Sequence, residues 1–146
     1  YKTGFEVFGE LAFLEDFAFK TEVSYVYAKN QDLDESLPLT PPLVTRFNLS
    51  IERETIWASA TYTLTSKQSD IALSFGEQTT GGYGVMDLRF GTKPFEHFTL
   101  GIAASNIFDE TYNNHLNFSF VNQADYGRVP INDPGRNLTA FAQYSF

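Results

Sequence analysis

An all-β chain of antiparallel, up-and-down strands is what this sequence predicts, and three observations predict it. Apolar and polar residues alternate over stretches of about ten, the period of a strand with one greasy and one wet face. The connections between these stretches alternate in length, short and then long. The charges inside the stretches all fall on one face.

The elements follow in order. Residues 4–13 set Phe5, Val7, Leu11 and Phe13 against Glu6, Phe8, Glu10 and Ala12. A tight reversal is expected at Glu15 and Asp16. Residues 17–27 then place Phe17, Phe19, Val23, Tyr25 and Tyr27 opposite Lys20, Glu22 and Ser24. The polar stretch 29–42 ends in Pro41 and Pro42, which cannot sit inside a paired strand, so it reads as a long loop. A third strand opposes Phe47, Leu49 and Ile51 to Arg46, Asn48, Ser50 and Glu52, and Arg53, Glu54 and Thr55 turn the chain. The fourth carries Ile56, Ala58, Ala60, Tyr62 and Leu64 against Trp57, Ser59, Thr61 and Thr63.

A second long loop, 65–82, follows, with a short strand expected over 71–75. Met86, Leu88 and Phe90 next oppose Val85, Asp87, Arg89 and Gly91, and 92–97, with Pro94, reads as a short turn. Phe98, Leu100, Ile102 and Ala104 oppose Thr99, Gly101, Ala103 and Ser105. The longest loop spans 106–136. The closing strand, 137–146, alternates Leu138, Ala140, Ala142, Tyr144 and Phe146 with Asn137, Thr139, Phe141, Gln143 and Ser145.

About ten residues per strand also suits a tilted crossing of a bilayer. Glu6, Glu10, Lys20, Glu22, Arg46, Glu52, Asp87 and Arg89 all lie opposite the apolar stripe. A basic side chain facing lipid costs roughly 2–4 kcal/mol near the midplane, so a membrane barrel confines such groups to its lumen. Short periplasmic turns and long extracellular loops are the rule in such barrels. Here every short turn falls on the side where Phe146 ends the closing strand. A transmembrane β-barrel is the predicted architecture. A soluble sandwich also hides one face, so the ranking rests on the three observations together. Closure takes about eight strands or more, usually an even number, and about seven are found. The chain is therefore expected to be one arc of a larger wall, with unpaired backbone at both edges.

Composition agrees. The 146 residues include 15 Phe and 8 Tyr, strand formers suited to a half-buried sheet or a membrane interface. The net charge of −8 argues against a nucleic-acid partner. The absence of cysteine excludes disulfides and thiolate chemistry. No apolar run approaches the roughly 20 residues of a transmembrane helix. The mean hydropathy of −0.23 is compatible with a barrel, since only alternate residues meet lipid. Without a Met or signal peptide before Tyr1, the chain reads as a processed or excised piece.

Candidate chemistry is sparse. His97 and His115 are expected at opposite ends of the wall, so they form no paired metal site, and no metal or cofactor set is assigned. His97 reads as a solvated turn residue. His115 lies in a long loop, where it is a polar loop residue or a contact to an external ligand. Met86 belongs to the apolar face and is read as lipid-facing rather than as a soft metal ligand. No Ser–His–Asp arrangement is evident, and the chain is not read as an enzyme. Gly81, Gly82 and Gly84 precede no helix that would cradle phosphate. The glycosylation-like triplets at Asn48, Asn117 and Asn137 are treated as chance. Tyr25, Tyr27, Tyr62 and Tyr144 suit an interfacial girdle.

At Ser105-Asn106-Ile107-Phe108-Asp109-Glu110-Thr111-Tyr112 the chain resembles the TonB-dependent outer-membrane receptors, whose next-to-last strand commonly runs into Asn-Leu-Phe-Asp and a Tyr. Ile107 stands where Leu is usual. Pro134-Gly135-Arg136-Asn137 resembles the family's lead into its final strand, and Tyr144-Ser145-Phe146 its aromatic-x-Phe terminus. Gly4-Phe5-Glu6 and Ser24-Tyr25-Val26-Tyr27 look like wall strands of the same barrels. Leu37-Pro38-Leu39 with Pro41-Pro42 is similar to a proline-bearing loop of the family.

The resemblance implies a 22-stranded barrel of which residues 1–146 are the C-terminal portion, without the plug domain. It implies a receptor of the bacterial cell outer membrane that imports a metal–siderophore, such as an iron complex, or a similar scarce nutrient. Its partners would be outer-membrane lipid, that extracellular ligand, its own plug and an energy-coupling complex. Tyr144 and Phe146 would carry the signal read by the barrel-assembly machinery, and His115 would sit in a ligand-contacting loop. The competing readings are a soluble β-barrel or sandwich binding a small apolar ligand, and a small outer-membrane enzyme.

Overall fold

The computed structural model describes residues 1–117, 120–122 and 127–146. Its strands are β1 (Lys2–Phe13), β2 (Phe17–Asn30), β3 (Glu35–Ser36), β4 (Val44–Glu52), β5 (Ile56–Thr65), β6 (Tyr83–Phe95), β7 (Phe98–Ser105), β8 (Phe120–Asn122), β9 (Gly127–Val129) and β10 (Asn137–Tyr144). One sheet runs β1-β2-β4-β5-β6-β7-β10, with β3 added to the end of β2, and β8 pairs with β9 apart from it. All pairings are antiparallel. Among the described residues the sheet is open, with β1 and β10 as its edges.

The register carries the two faces across the wall, shifting between Thr92 and Phe95 at the short-turn end of the β6–β7 pair. One row joins Leu11, Phe19, Leu49, Ala60, Leu88, Ala104 and Leu138, and the next joins Phe13, Phe17, Ile51, Ala58, Phe90, Ile102 and Ala140. On the reverse, Glu10, Lys20, Asn48, Thr61 and Asp87 share a row. Glu10 pairs with Lys20 at 3.2 Å and Glu22 with Arg46 at 3.1 Å. Such exposed pairs contribute little stability, up to about 1 kcal/mol each. Their value is in fixing which face is wet.

The apolar face is bare. Leu11, Ile102 and Leu138 are 63%, 58% and 76% exposed, and the buried hydrophobics among the described residues are Ala28, Ala72 and Val85. A water-soluble sandwich would enclose these side chains between two layers. Here a single layer presents them outward, an apolar area larger than a water-exposed surface ordinarily carries.

The short connections are knit together at one end. Leu14 and Glu15 turn the chain with φ of 49° and 56°. Asp16 accepts the Arg53 guanidinium at 2.7 Å, and the Lys93 amide donates to Thr55 O at 2.7 Å. The Ser145 amide donates to His97 O at 2.9 Å, which ties the chain end to the β6–β7 turn.

Four sequence expectations are corrected. Residues 71–75 form no strand. Phe75 and Gly76 amides return to Ala72 O and Leu73 O, and Gly76 takes a φ of 74°, so this is a turn. The 92–97 stretch is not all turn, because β6 continues through Pro94 to Phe95; the register shifts between Thr92 and Phe95, and a bulge spares the amide that proline lacks. The 29–42 stretch is not wholly loop, since β2 extends to Asn30 and β3 pairs back onto it. The 106–136 stretch holds the β8–β9 pair. Of the Asn117 triplet, residues 118 and 119 lie outside the described residues.

A row on the charged face, near the short-turn end, has a distinct construction. Trp57, Gly91, Gly101 and Phe141 are successive cross-strand partners. A Cβ on Gly91 would overlap the Trp57 indole, and one on Gly101 the Phe141 ring. The two rings lean inward over the glycines and stack at 6.4 Å with 18° between planes. Gly91→Ala should unseat the indole and cost about 1–3 kcal/mol, the usual range for overpacking. Trp57 is the chain's single Trp, so a red-shifted emission with a lower unfolding midpoint is the expected result. Unchanged emission would show that the indole does not rest there.

Candidate ligand-binding loop cluster

The long loops gather at the opposite end of the wall, and each is shaped by local polar bonds. After β2, Asn30 Oδ1 accepts the Asp32 amide at 3.0 Å, an Asx turn that starts the reversal into β3. Thr40 Oγ1 donates to Leu37 O at 2.7 Å, and Leu39 takes a φ of 55°. The 66–82 loop closes on itself through the Gln68–Thr80 bridge, while the Gln68 amide group reaches Thr40 O at 2.9 Å. Glu35 accepts the amide and hydroxyl of Ser74, and these bonds lower its carboxyl below the usual range.

One carboxylate ties the loops together. Glu77 Oε1 accepts the Leu39 amide, and Oε2 accepts the Ala72 amide at 2.8 Å. Its Oε1 also lies 3.7 Å from His115 Nε2. The His115 Nδ1 is 3.2 Å from Thr80 Oγ1. Burial holds the imidazole below its ordinary pKa, against an opposing pull from Glu77. These groups floor a cavity of about 240 Å³, walled by Gln78, Thr79, Asn113, Asn117 and Asn132 among others.

A second knot joins the exit of β7 to the lead into β10. Asn106 is 3% exposed with a φ of 49°. Its amide donates to Asp87 Oδ1 at 2.9 Å, its Oδ1 accepts the Glu110 amide at 2.9 Å, and its Nδ2 donates to Glu110 O at 2.8 Å. Asp109 Oδ1 accepts the Arg136 amide at 2.8 Å, and a Cβ on Gly135 would lie 2.7 Å from that same oxygen. Asp133 accepts the Asn114 amide at 3.0 Å and Asn117 Nδ2 at 2.9 Å. The Asn106–Asp109 and Pro134–Arg136 motifs therefore meet as a structural clasp.

Superposed on known structures, the wall matches a copper transporter, OprC, with a TM-score of 0.89 and 23% identity over 99% of this chain and 24% of that one. Its fold is that of TonB-dependent receptor barrels. Two mutant forms of the ferric enterobactin receptor PfeA from Pseudomonas aeruginosa match the wall in the same way. Their TM-scores are 0.78 and 0.76, with 18% and 20% identity, each over 98% of this chain and 22% of that one. The chain thus spans about a quarter of the length of the solved proteins it matches. No protein-family model and no curated sequence matches it.

On this wall the candidate residues separate. His115 lies in the long-loop cluster, buried among Glu77 and Thr80. Tyr144 and Phe146 lie at the short-turn end, where their rings meet edge to face at 5.3 Å and Tyr144 approaches His97 at 6.2 Å. His97 is exposed in its turn. Sequence reasoning did not single out Glu77, a carboxylate in a polar loop that carries no local pattern. Its one advance sign was His115 itself, the only histidine in a long loop. Among the described residues no group of three His, Cys, Asp or Glu gathers as a metal-ligand set.

Proposed function

We propose that this chain is the C-terminal portion of the barrel of an outer-membrane active transporter, importing a metal–siderophore or a similar scarce nutrient. The observation that carries the reading is the two-faced single layer, with Glu6, Glu10, Lys20, Glu22, Arg46, Glu52, Asp87 and Arg89 on one side and large apolar side chains bare on the other. Lipid covers the apolar face. The charged face lines a hydrated lumen, against which a plug domain elsewhere in the protein packs and responds to an inner-membrane energy complex. The long loops, His115 among them, face outward to the ligand, and the clasp at Asn106 holds the longest of them to the rim.

Transport by such a wall needs no nucleophile. It needs a rigid frame, an outer cluster that captures ligand, and a lumen in which a plug can rearrange. Among the described residues the apolar face lines an open concavity of about 670 Å³, with Leu49, Leu88, Phe90 and Leu138 among its walls, rather than the closed pocket that the soluble binding reading calls for.

Fractionation of cells producing the complete protein, with ligand uptake followed in parallel, tests the reading. The protein should be recovered in the outer membrane, need detergent for extraction, and support uptake that its deletion abolishes. A detergent-free, monodisperse protein in the soluble fraction overturns it. Tyr144 and Phe146 are proposed as the assembly signal, so removal of Phe146 should lower the folded, membrane-inserted fraction severalfold. Unchanged insertion refutes that role.

A further inference from the structure

The floor of the long-loop cavity holds two buried groups, Glu77 and His115. The side chains of Glu77 and His115 are 7% and 2% exposed, and their Oε1 and Nε2 atoms stand 3.7 Å apart. That separation is too long for a hydrogen bond, and Nε2 has no other hydrogen-bond partner. Leaving a buried imidazole nitrogen unsatisfied beside a buried carboxylate is unfavourable. The pair has an alternative use. Nitrogen and oxygen ligands sit about 2.0–2.2 Å from a zinc-type ion, so two of them on one ion are separated by roughly 3.3–4 Å over bond angles from tetrahedral upward.

The surroundings are those of a metal-ligating pair. A histidine that binds metal through one ring nitrogen commonly donates the other N–H to an oxygen, which fixes its tautomer. Thr80 Oγ1, 3.2 Å from Nδ1, supplies that oxygen, and the tautomer with hydrogen on Nδ1 presents a lone pair from Nε2. Ligating carboxylates are themselves held by hydrogen bonds. Here the amides of Leu39 and Ala72 hold Glu77 from both oxygens. The adjoining 240 Å³ cavity, with Gln78, Thr79 and Asn113 on its walls, gives room for further donor atoms.

We propose that Glu77 and His115 seat one divalent transition-metal ion, of the Zn²⁺ or Cu²⁺ type, at the long-loop end of the wall. Imidazole and carboxylate together suit such ions, and water or donor atoms of an incoming chelate complete the shell. With two protein ligands the seat is open and exchanges its ion. The inference rests on the reading of these loops as ligand-facing, and it deepens that reading by naming a contact for the metal itself.

The complete protein in detergent is titrated with ZnCl₂ by calorimetry and with CuCl₂ by electron paramagnetic resonance. A saturable component of one ion per protein is expected, with nitrogen coupling from one imidazole. His115→Gln keeps volume and a polar contact to Thr80 but gives up the imidazole, and should weaken this component by at least about tenfold. Thr80→Val, which removes only the support behind His115, should weaken it by about 10–100-fold. Glu77→Gln provides the same test should His115→Gln fail to fold, with heat-modifiable migration as the folding check. No saturable component in the wild type, or unchanged affinity in a folded His115→Gln, overturns the proposal. Binding lost in a protein that still imports ligand removes the seat and leaves the transporter standing. Retained binding in a protein found in the soluble fraction removes the transporter and leaves the seat.

Discussion

Leu88→Arg should destabilise the inserted wall by about 2–4 kcal/mol, whereas Thr61→Lys on the facing strand should be nearly neutral. Leu88 sits in the apolar row between Ala60 and Ala104, midway along β6. An arginine there meets hydrocarbon and must bend toward the headgroups or carry water inward. Thr61 belongs to the reverse face and pairs directly with Asp87, so a lysine there gains a partner. It gives up one hydrogen bond from Asn48, of 2.8 Å, whose loss on a wet face costs little. A cost of 2–4 kcal/mol is roughly 30- to 700-fold in the folding equilibrium, at about 1.4 kcal/mol per tenfold. Urea titration of the complete protein in lipid vesicles measures the difference. Equal effects of the two substitutions would show that the faces do not meet different solvents.

The second large effect is expected at the clasp. Asn106→Ala removes the groups that satisfy both the amide and the carbonyl of Glu110 in a site that is 3% exposed. An unsatisfied buried polar group costs about 1–3 kcal/mol. Alanine also tolerates the φ of 49° less well than asparagine, by about 1–2 kcal/mol. A total of about 2–5 kcal/mol follows, with the 106–136 loop becoming open to protease. Asn106→Gly separates the contributions, since it restores the backbone freedom and not the hydrogen bonds. If Asn106→Ala resists protease as the wild type does, the clasp does not hold the loop.

The wall was legible in the sequence because its information is local and periodic. Each of Phe5, Leu49, Leu88 and Ile102 declares its face through its neighbours two residues away, and the register merely joins what the alternation had assigned. The limits of β6 were not legible, because proline normally forbids a paired position and only the bulge at Thr92–Phe95 exempts Pro94. The motif at Asn106–Asp109 was found as a family likeness; its physical content, a clasp onto the Pro134–Arg136 segment, required the fold. The pair of Glu77 and His115 lay out of reach. Those residues belong to separate loops, and no periodicity connects positions that meet only once the strands between them have paired.

The order of the sheet has a consequence for how such a wall forms. Each main strand lies beside its nearest main-strand neighbours in sequence, so β2, β4, β5, β6 and β7 can add in turn, hairpin by hairpin. Closing a flexible loop costs entropy that rises only with the logarithm of its length, about 0.6 kcal/mol per doubling. By that measure the 106–136 connection, about three doublings longer than a four-residue turn, adds about 2 kcal/mol to the docking of β10. Length can accumulate at one rim, and with it new outward surface, at an entropic cost that grows more slowly with each residue added.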